Sequence, residues 1–536
     1  MTATEPRTDR PDVAHAELVV NPAFAVGPVR RRLFGSFVEH IGRSVYGGIY
    51  EPDHPTADED GFRRDVLDAA RELDIDAIRY PGGNFVSGFR WEDSVGPPEL
   101  RPRRRDLAWR STETNAIGLH EFAAWVDKLG ADLMLAVNLG TRGTLEALDL
   151  IEYANGPAGS ALADQRIANG RTEPFGITTW FLGNEMDGPW QLGYRSADEY
   201  GALAARTAKA LRQFDPSIEL VACGSSHRHM PTFGDWERIV LAHTYDDVDY
   251  ISCHAYYEEK DGDLGSFLAS SVSMDRFIES VVATADHVKA LKRSDKTINI
   301  SFDEWNVWYL EKGRSATVGL YRTEEISGDD WPVAPHVAED IYSVADAVVV
   351  GSLLISLVKH ADRVTAACLS MLVNAMAPIR AEPGGIVWRQ ATFFPFALTS
   401  RWARGVALDV RVACGSYATN EHGTVPLVDA TATYDAAAGS YAVFAVNRST
   451  SAAIELRVDL QHPGPTHLVE ALTLSDADPY VTNTPDHPER VSVQPNTSAS
   501  IAAGQIAITL PPVSWSIIRV AAEVPARQPA AEAPRA

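Results

Sequence analysis

Ile177–Gln191 reads "ITTWFLGNEMDGPWQ". An apolar run reaches a glycine, and an amide and a carboxylate follow at once. The run does not alternate between polar and apolar residues. It therefore reads as a strand buried on both faces, the kind found in parallel sheets. Acids at a strand tip are commonly just solvated. Acids fenced by tryptophans also suit sugar chemistry, so the reading depends on what the rest of the chain does.

Seven more runs of this kind occur between Leu33 and Asn374: "LFGSFVEH", "DAIRYPGGN", "DLMLAVNLG", "IELVACGSS", "VDYISCHAYY", "INISFDEWN" and "RVTAACLSMLVN". Helical patterns separate most of them. "GLHEFAAWVDKLG" (118–130) and "SADEYGALAARTAKALRQF" (196–214) repeat apolar residues at three and four, and the second opens on a Ser N-cap. Strand and helix alternating about eight times over roughly 350 residues predicts an α/β fold, a (β/α)8 TIM barrel. We place it at residues 30–405.

Beyond "FFPFALTSRWARG" helical periodicity stops. Short alternating runs follow, among them "SYAVFAVNRS", "AAIELRVDL" and "QIAITLPPVSWSIIRVA". They predict a C-terminal all-β sandwich, jelly-roll-like, over residues 406–522. The N-terminal segment 1–29 carries the strand-like "AHAELVV" and is expected to contribute to that sandwich. The Pro/Ala-rich tail 523–536 is expected to be disordered.

At 536 residues the chain is long enough for two domains. Its formal net charge of −24 argues against nucleic acid or an anionic membrane as partner. The four cysteines are widely spaced and match no zinc or redox motif. The first twenty residues lack an apolar leader core. The most apolar run, "ADAVVVGSLLISLVKH" (345–360), is too short for a span and reads as a buried helix. The expectation is a soluble, cytoplasmic protein.

Barrels of this kind build their sites at the C-terminal ends of the strands. Those ends carry Glu39-His40, Arg79 and Asn84, Asn138, Asn184-Glu185, His254 and Tyr256, Asp303-Glu304-Trp305-Asn306, and Asn374. No Gly-rich phosphate loop follows any strand. Amides, carboxylates and tryptophans suit a neutral polyhydroxylated ligand. Glycoside hydrolysis needs two carboxyl groups across the scissile bond, and Glu39, Glu185, Asp187, Asp303 and Glu304 are the candidates. Alternation alone does not decide which of Asp303 and Glu304 points inward. His254 reads equally as a structural hydrogen bonder or a proton carrier, and is grouped with the substrate-binding residues. His227 and His229 are spaced like metal ligands but lack a clear third.

Six stretches together resemble glycoside hydrolase family 51, the intracellular α-L-arabinofuranosidases: "FGSFVEHIGRSVYGGIYEP", "RYPGGNFVSGFRWEDSVGP", "AVNLGTRG", "WFLGNEMDGPWQLG", "FDEWNVWY" and "LVNAMAPI". The resemblance runs in order through the whole barrel, from about Leu33 to Phe396. It implies a retaining, double-displacement glycosidase that releases terminal arabinofuranose from arabino-oligosaccharides. It implies Glu185 as acid/base and Glu304 as nucleophile. Glu39, Asn84, Asn184 and Tyr256 would hold the sugar, Arg79 would lie close to the nucleophile, and Trp109 would lie on the leaving-group side. It further implies a homohexamer that needs no metal or cofactor. The chain departs from the family pattern at Met371, where Gln is usual and contacts the sugar, and at Ile117, where Phe is more common. A competing reading is a retaining glycosidase on the same scaffold that cleaves within β-glucan or xylan. A non-catalytic carbohydrate-binding protein is the third reading, and the presence of both carboxylates counts against it.

Overall fold

The computed structural model describes residues 14–310 and 330–523. Most of the polar N-terminal stretch (1–13), residues 311–329 and the expected disordered tail beyond Glu523 lie outside the described residues.

Eight parallel strands close into a barrel in chain order. They are β1 (Gly35–Phe37), β2 (Ala77–Tyr80), β3 (Asp132–Val137), β4 (Thr179–Leu182), β5 (Glu219–Ala222), β6 (Tyr250–Tyr257), β7 (Asn299–Val307) and β8 (Val364–Ser370). β8 closes on β1 through the pairs Cys368 with Gly35 and Ser370 with Phe37. β2 and β4 are buried at every residue, which is why they read as unbroken apolar runs.

The helices lie where the apolar spacing places them, and their ends obey local chemistry. Ser196 and Glu199 form a reciprocal box at the start of Ala197–Phe214: the Glu199 amide donates to Ser196 Oγ, and the Ser196 amide donates to Glu199 Oε2. Leu119–Leu129 ends on Gly130 at φ 83°, the left-handed cap that glycine adopts without strain.

One irregularity bears on the site. Ser252 of β6 pairs with Ser301 of β7, but the next pair is His254 with Glu304. β6 advances two residues while β7 advances three, so β7 carries a bulge of one residue. The β8 side agrees, since Phe302 pairs with Ala367 and Trp305 with Leu369.

The C-terminal β-rich domain is a sandwich of a five-stranded and a seven-stranded sheet. Ala14–Val20 lies inside the five-stranded sheet, antiparallel to Arg411–Cys414 and parallel to Ile454–Leu460. Leu18, Leu456, Val443 and Ile518 pack in its core. The helix Val344–Lys359, the apolar run singled out above, is buried from Val344 to Val358. It is buried on every side because it touches barrel strands and helices as well as sandwich strands. At Gly351 it meets Trp515 so closely that a Cβ would lie 2.2 Å from the indole Cδ1. A buried ionic knot crosses the same junction: Asp429 takes Arg448 Nη2 at 2.5 Å, together with Lys359 Nζ. Among the described residues no helix is long and apolar enough to cross a membrane.

Candidate active site

The mouth of the barrel holds a cavity of about 580 Å3. Glu39, Asn84, Trp109, Glu185, Tyr256, Glu304 and Met371 line it. Arg79, Asn184 and His254 do not. They sit behind the carboxylates, each almost fully buried.

After β4 the chain turns sharply. Gly183 adopts φ 92° and Glu185 φ 43°, and the Gly188 amide closes back on the Glu185 carbonyl at 2.9 Å. A non-glycine residue with positive φ is uncommon, and such positions cluster at functional sites. Glu185 Oε2 accepts from Trp190 Nε1 at 2.7 Å, and Oε1 lies 3.0 Å from His254 Nδ1. Asp187 anchors the turn to the loop after β5 by accepting from the Ser226 amide and hydroxyl. Burial raises the Asp187 carboxyl to about 6 against those hydrogen bonds.

The bulge answers what alternation left open, because both carboxylates of β7 face the same cations. Glu304 Oε1 accepts from Arg79 Nη1 at 2.7 Å, and Oε2 accepts from the Tyr256 hydroxyl at 2.8 Å. Asp303 Oδ1 lies 3.0 Å from His254 Nε2 and Oδ2 lies 3.7 Å from Arg79 Nε. Glu304 lines the cavity, whereas Asp303 is the buried support. Arg79 also donates to Asn184 Oδ1 at 2.6 Å and lies against the rings of Phe37 and Phe181, 4.7 and 4.9 Å from their centroids. The Asn184 amide nitrogen has no protein partner among the described residues.

Burial would lower the His254 imidazole, but Glu304, Asp303 and Glu185 outweigh it and push it up to about 10. His254 is therefore an imidazolium that donates from both nitrogens. Burial would raise Glu304, but His254, Arg79 and Tyr256 hold it below the usual carboxylate value. Glu185, His254 and Glu304 each offer an atom within 4.8 Å of the others.

Glu39 is the opposite case. Burial, with help from the Glu304 charge, raises it to about 8 against hydrogen bonds from the Phe85 amide (2.7 Å) and Trp109 Nε1 (2.8 Å), both on Oε1. Near neutrality it is a carboxylic acid with a proton to donate. Gly83 leaves room in front of it, since a Cβ there would lie 3.1 Å from both Glu39 Oε2 and Glu304 Oε1. Tyr256 shares its hydroxyl with Ser370 Oγ at 2.8 Å and meets Trp308 edge-on, a contact that the strand-end reading missed. His227 and His229 also line the cavity, and no third metal ligand joins them among the described residues.

A family model described as the α-L-arabinofuranosidase 1 domain matches residues 69–263. One described as the α-L-arabinofuranosidase C-terminal domain matches residues 303–514. A family 51 α-L-arabinofuranosidase structure from Bifidobacterium longum superposes with a TM-score of 0.89 at 47% identity, over 94% of this chain and 99% of that one. The chain belongs to the family 51 α-L-arabinofuranosidases. They are glycoside hydrolases. An intracellular exo-α-(1→5)-L-arabinofuranosidase of Streptomyces lividans is 57% identical over 96% of this chain and 76% of its own length. An exo-α-(1→6)-L-arabinofuranosidase of Bifidobacterium longum is 53% identical over 95% and 98%. Relatives at this identity thus differ in the linkage they are named for.

Proposed function

We propose that this chain is an exo-acting, retaining α-L-arabinofuranosidase that releases terminal non-reducing α-L-arabinofuranose from arabino-oligosaccharides. Glu304 is the nucleophile and Glu185 the general acid/base. The observation that carries this reading is their spacing, an oxygen of each within 4.8 Å. An approach this close allows the separation of about 5–5.5 Å between carboxyl groups that retaining glycosidases use.

Each residue has a task in the double displacement. Glu304, kept ionised by Arg79 and His254, attacks the anomeric carbon. Glu185 gives its proton to the glycosidic oxygen as that bond breaks. Water then attacks the same carbon, gives a proton to Glu185 and frees Glu304. Neutral Glu39, Asn84, Asn184 and Tyr256 present donors and acceptors to the sugar hydroxyls. Arg79 and His254 position the carboxylates.

The barrel (30–405) carries this chemistry in our reading, and the sandwich (406–522, with 1–29) supports it. Intracellular breakdown of arabinan fragments and a homohexamer belong to the same reading. The names of the relatives support the first and the family resemblance supports the second. Light scattering checks the hexamer. The decisive experiment is a mechanism-based arabinofuranosyl inactivator followed by peptide mapping, with NMR of the first-formed product. The expected results are a sugar ester on Glu304 and retained anomeric configuration. A label on Asp303, or inversion, overturns the assignment.

A further inference from the structure

The cavity does not end at the two carboxylates. Its lining continues past Trp190 to His227 and His229 after β5, and on to Glu421 and His422 of the sandwich. Those last two lie at the turn of a hairpin, Ser416–Thr419 with Gly423–Pro426.

The hairpin is fastened to the barrel by main-chain and side-chain bonds. Tyr417 donates to the Gly265 carbonyl at 2.8 Å, the Asn420 amide donates to Ser266 Oγ at 3.0 Å, and Asn420 Nδ2 donates to Asp263 Oδ2 at 2.6 Å. Arg276 Nη2 donates to the His422 carbonyl at 3.0 Å. These bonds hold Glu421 and His422 at the cavity wall.

The chemistry sets the direction of the cavity. Glu39 and Glu304 converge at Gly83, which marks the glycone end. The acid protonates the leaving oxygen, so the leaving sugar extends beyond Glu185. Trp190, which donates to Glu185, lies parallel to His227 at 6.2 Å, and His229 follows His227 at 6.3 Å. His227 Nδ1 accepts from the His229 amide, so its neutral ring carries the proton on Nε2. Lys260 of the barrel and Glu421 of the hairpin line the same cavity as His229.

We infer that Glu421 and His422 form, with His227 and His229, a binding site for the leaving-group sugars of a neutral oligosaccharide. The volume agrees, because pockets of about 300–1,000 Å3 take ligands well above the size of one pentose. The charge agrees too. Arg228, Lys260 and Arg276 on this part of the lining are matched by Glu258, Asp263 and Glu421, which favours hydroxyls over an anionic sugar.

The inference rests on the arabinofuranosidase reading, and two substrates separate them. Wild type, Glu421→Ala and His422→Ala are assayed for kcat/KM on a linear α-1,5-arabinotriose and on an aryl α-L-arabinofuranoside, which has no second sugar. The triose-to-aryl ratio is expected to fall about fivefold to tenfold in each variant, the size of one lost hydrogen bond, with the change in KM. The aryl substrate also reports on folding. An unchanged ratio overturns the inference, whether both activities fall together or neither moves. A wild type that prefers a uronic-acid-capped oligosaccharide to the neutral triose overturns the neutral-sugar assignment. A wild type that leaves the aryl arabinofuranoside intact refutes the proposed activity and takes the site down with it.

Discussion

Glu185 is held by two unlike donors, the neutral Trp190 indole and the cationic His254 imidazole. Its proposed role is to deliver a proton to the leaving oxygen, so its removal should matter in proportion to the need for that proton. Glu185→Ala is expected to lose about 10²–10⁴ in kcat/KM on an alkyl arabinofuranoside and far less on a dinitrophenyl one, with azide rescuing the second step. Equal losses on both would sink the role. Glu39 offers a pH test. Its folded value, about 8, lies above the ordinary 4.5. The folded state therefore binds the extra proton between those values, and stability falls as pH rises through that window. Glu39→Gln removes this slope, so its melting temperature relative to wild type should rise from pH 5 to pH 8. A constant difference would refute a protonated Glu39. Met371 faces the cavity with a thioether, while the neighbouring Ser370 hydroxyl is engaged by Tyr256. Met371→Gln supplies a donor, and kcat/KM on arabinofuranosides should rise several-fold, in line with about 0.5–1.5 kcal/mol for a neutral hydrogen bond. Parallel changes on an unrelated aryl glycoside would show that this position does not set specificity.

At the scale of elements, the strands and their tips were legible because parallel strands buried on both faces leave apolar runs that stop at a polar residue. Glu39, Arg79, Asn184, Glu185 and Glu304 all stand at such stops. The bulge in β7 was not legible. An extra residue in a strand leaves no mark in an apolar run, so the choice between Asp303 and Glu304 stayed open until the register was seen. Glu421 and His422 were equally invisible, since only the packing of two domains brings a hairpin to a barrel mouth. Buried helix 344–359 was readable as an unbroken apolar run, but its partner was not. Gly351→Ala tests that partner. Alanine is the better helix former by about 1 kcal/mol, yet its methyl would press on the buried Trp515 ring. Overpacking costs typically about 1–3 kcal/mol, so a net loss is expected in chemical denaturation. A Gly351→Ala protein more stable than wild type would show that the junction is loose.

At the scale of the molecule, barrel and sandwich share buried structure, so they are expected to unfold together. Asp429 is the group to probe. Burial opposes its charge, but Lys359 and Arg448 hold its carboxyl well below the usual range. A depressed folded value means stability that is present above the ordinary value of 3.8 and drains away as pH falls below it. Asp429→Asn strands two cations and should cost about 3 kcal/mol at neutral pH, the low end for a broken buried pair because Lys359 keeps some contact with water. The variant should also lose part of the wild-type sensitivity below pH 4, since Glu304 and other lowered carboxylates keep theirs. Calorimetry reads both effects, and a separate sandwich transition in wild type would contradict the shared unfolding.

The extra residue in β7 also says how this catalytic centre tolerates change in chain length. Substitutions leave the count between Ser301 and Glu304 untouched. A single-codon deletion of Phe302 would restore regular pairing with β6, leaving Glu304 opposite His254 but swinging Asp303 to the other face, off His254 and Arg79. Libraries built by shortening this strand would therefore lose that support whichever residue is removed, while point-mutation libraries lose activity only where Asp303 or Glu304 itself is replaced.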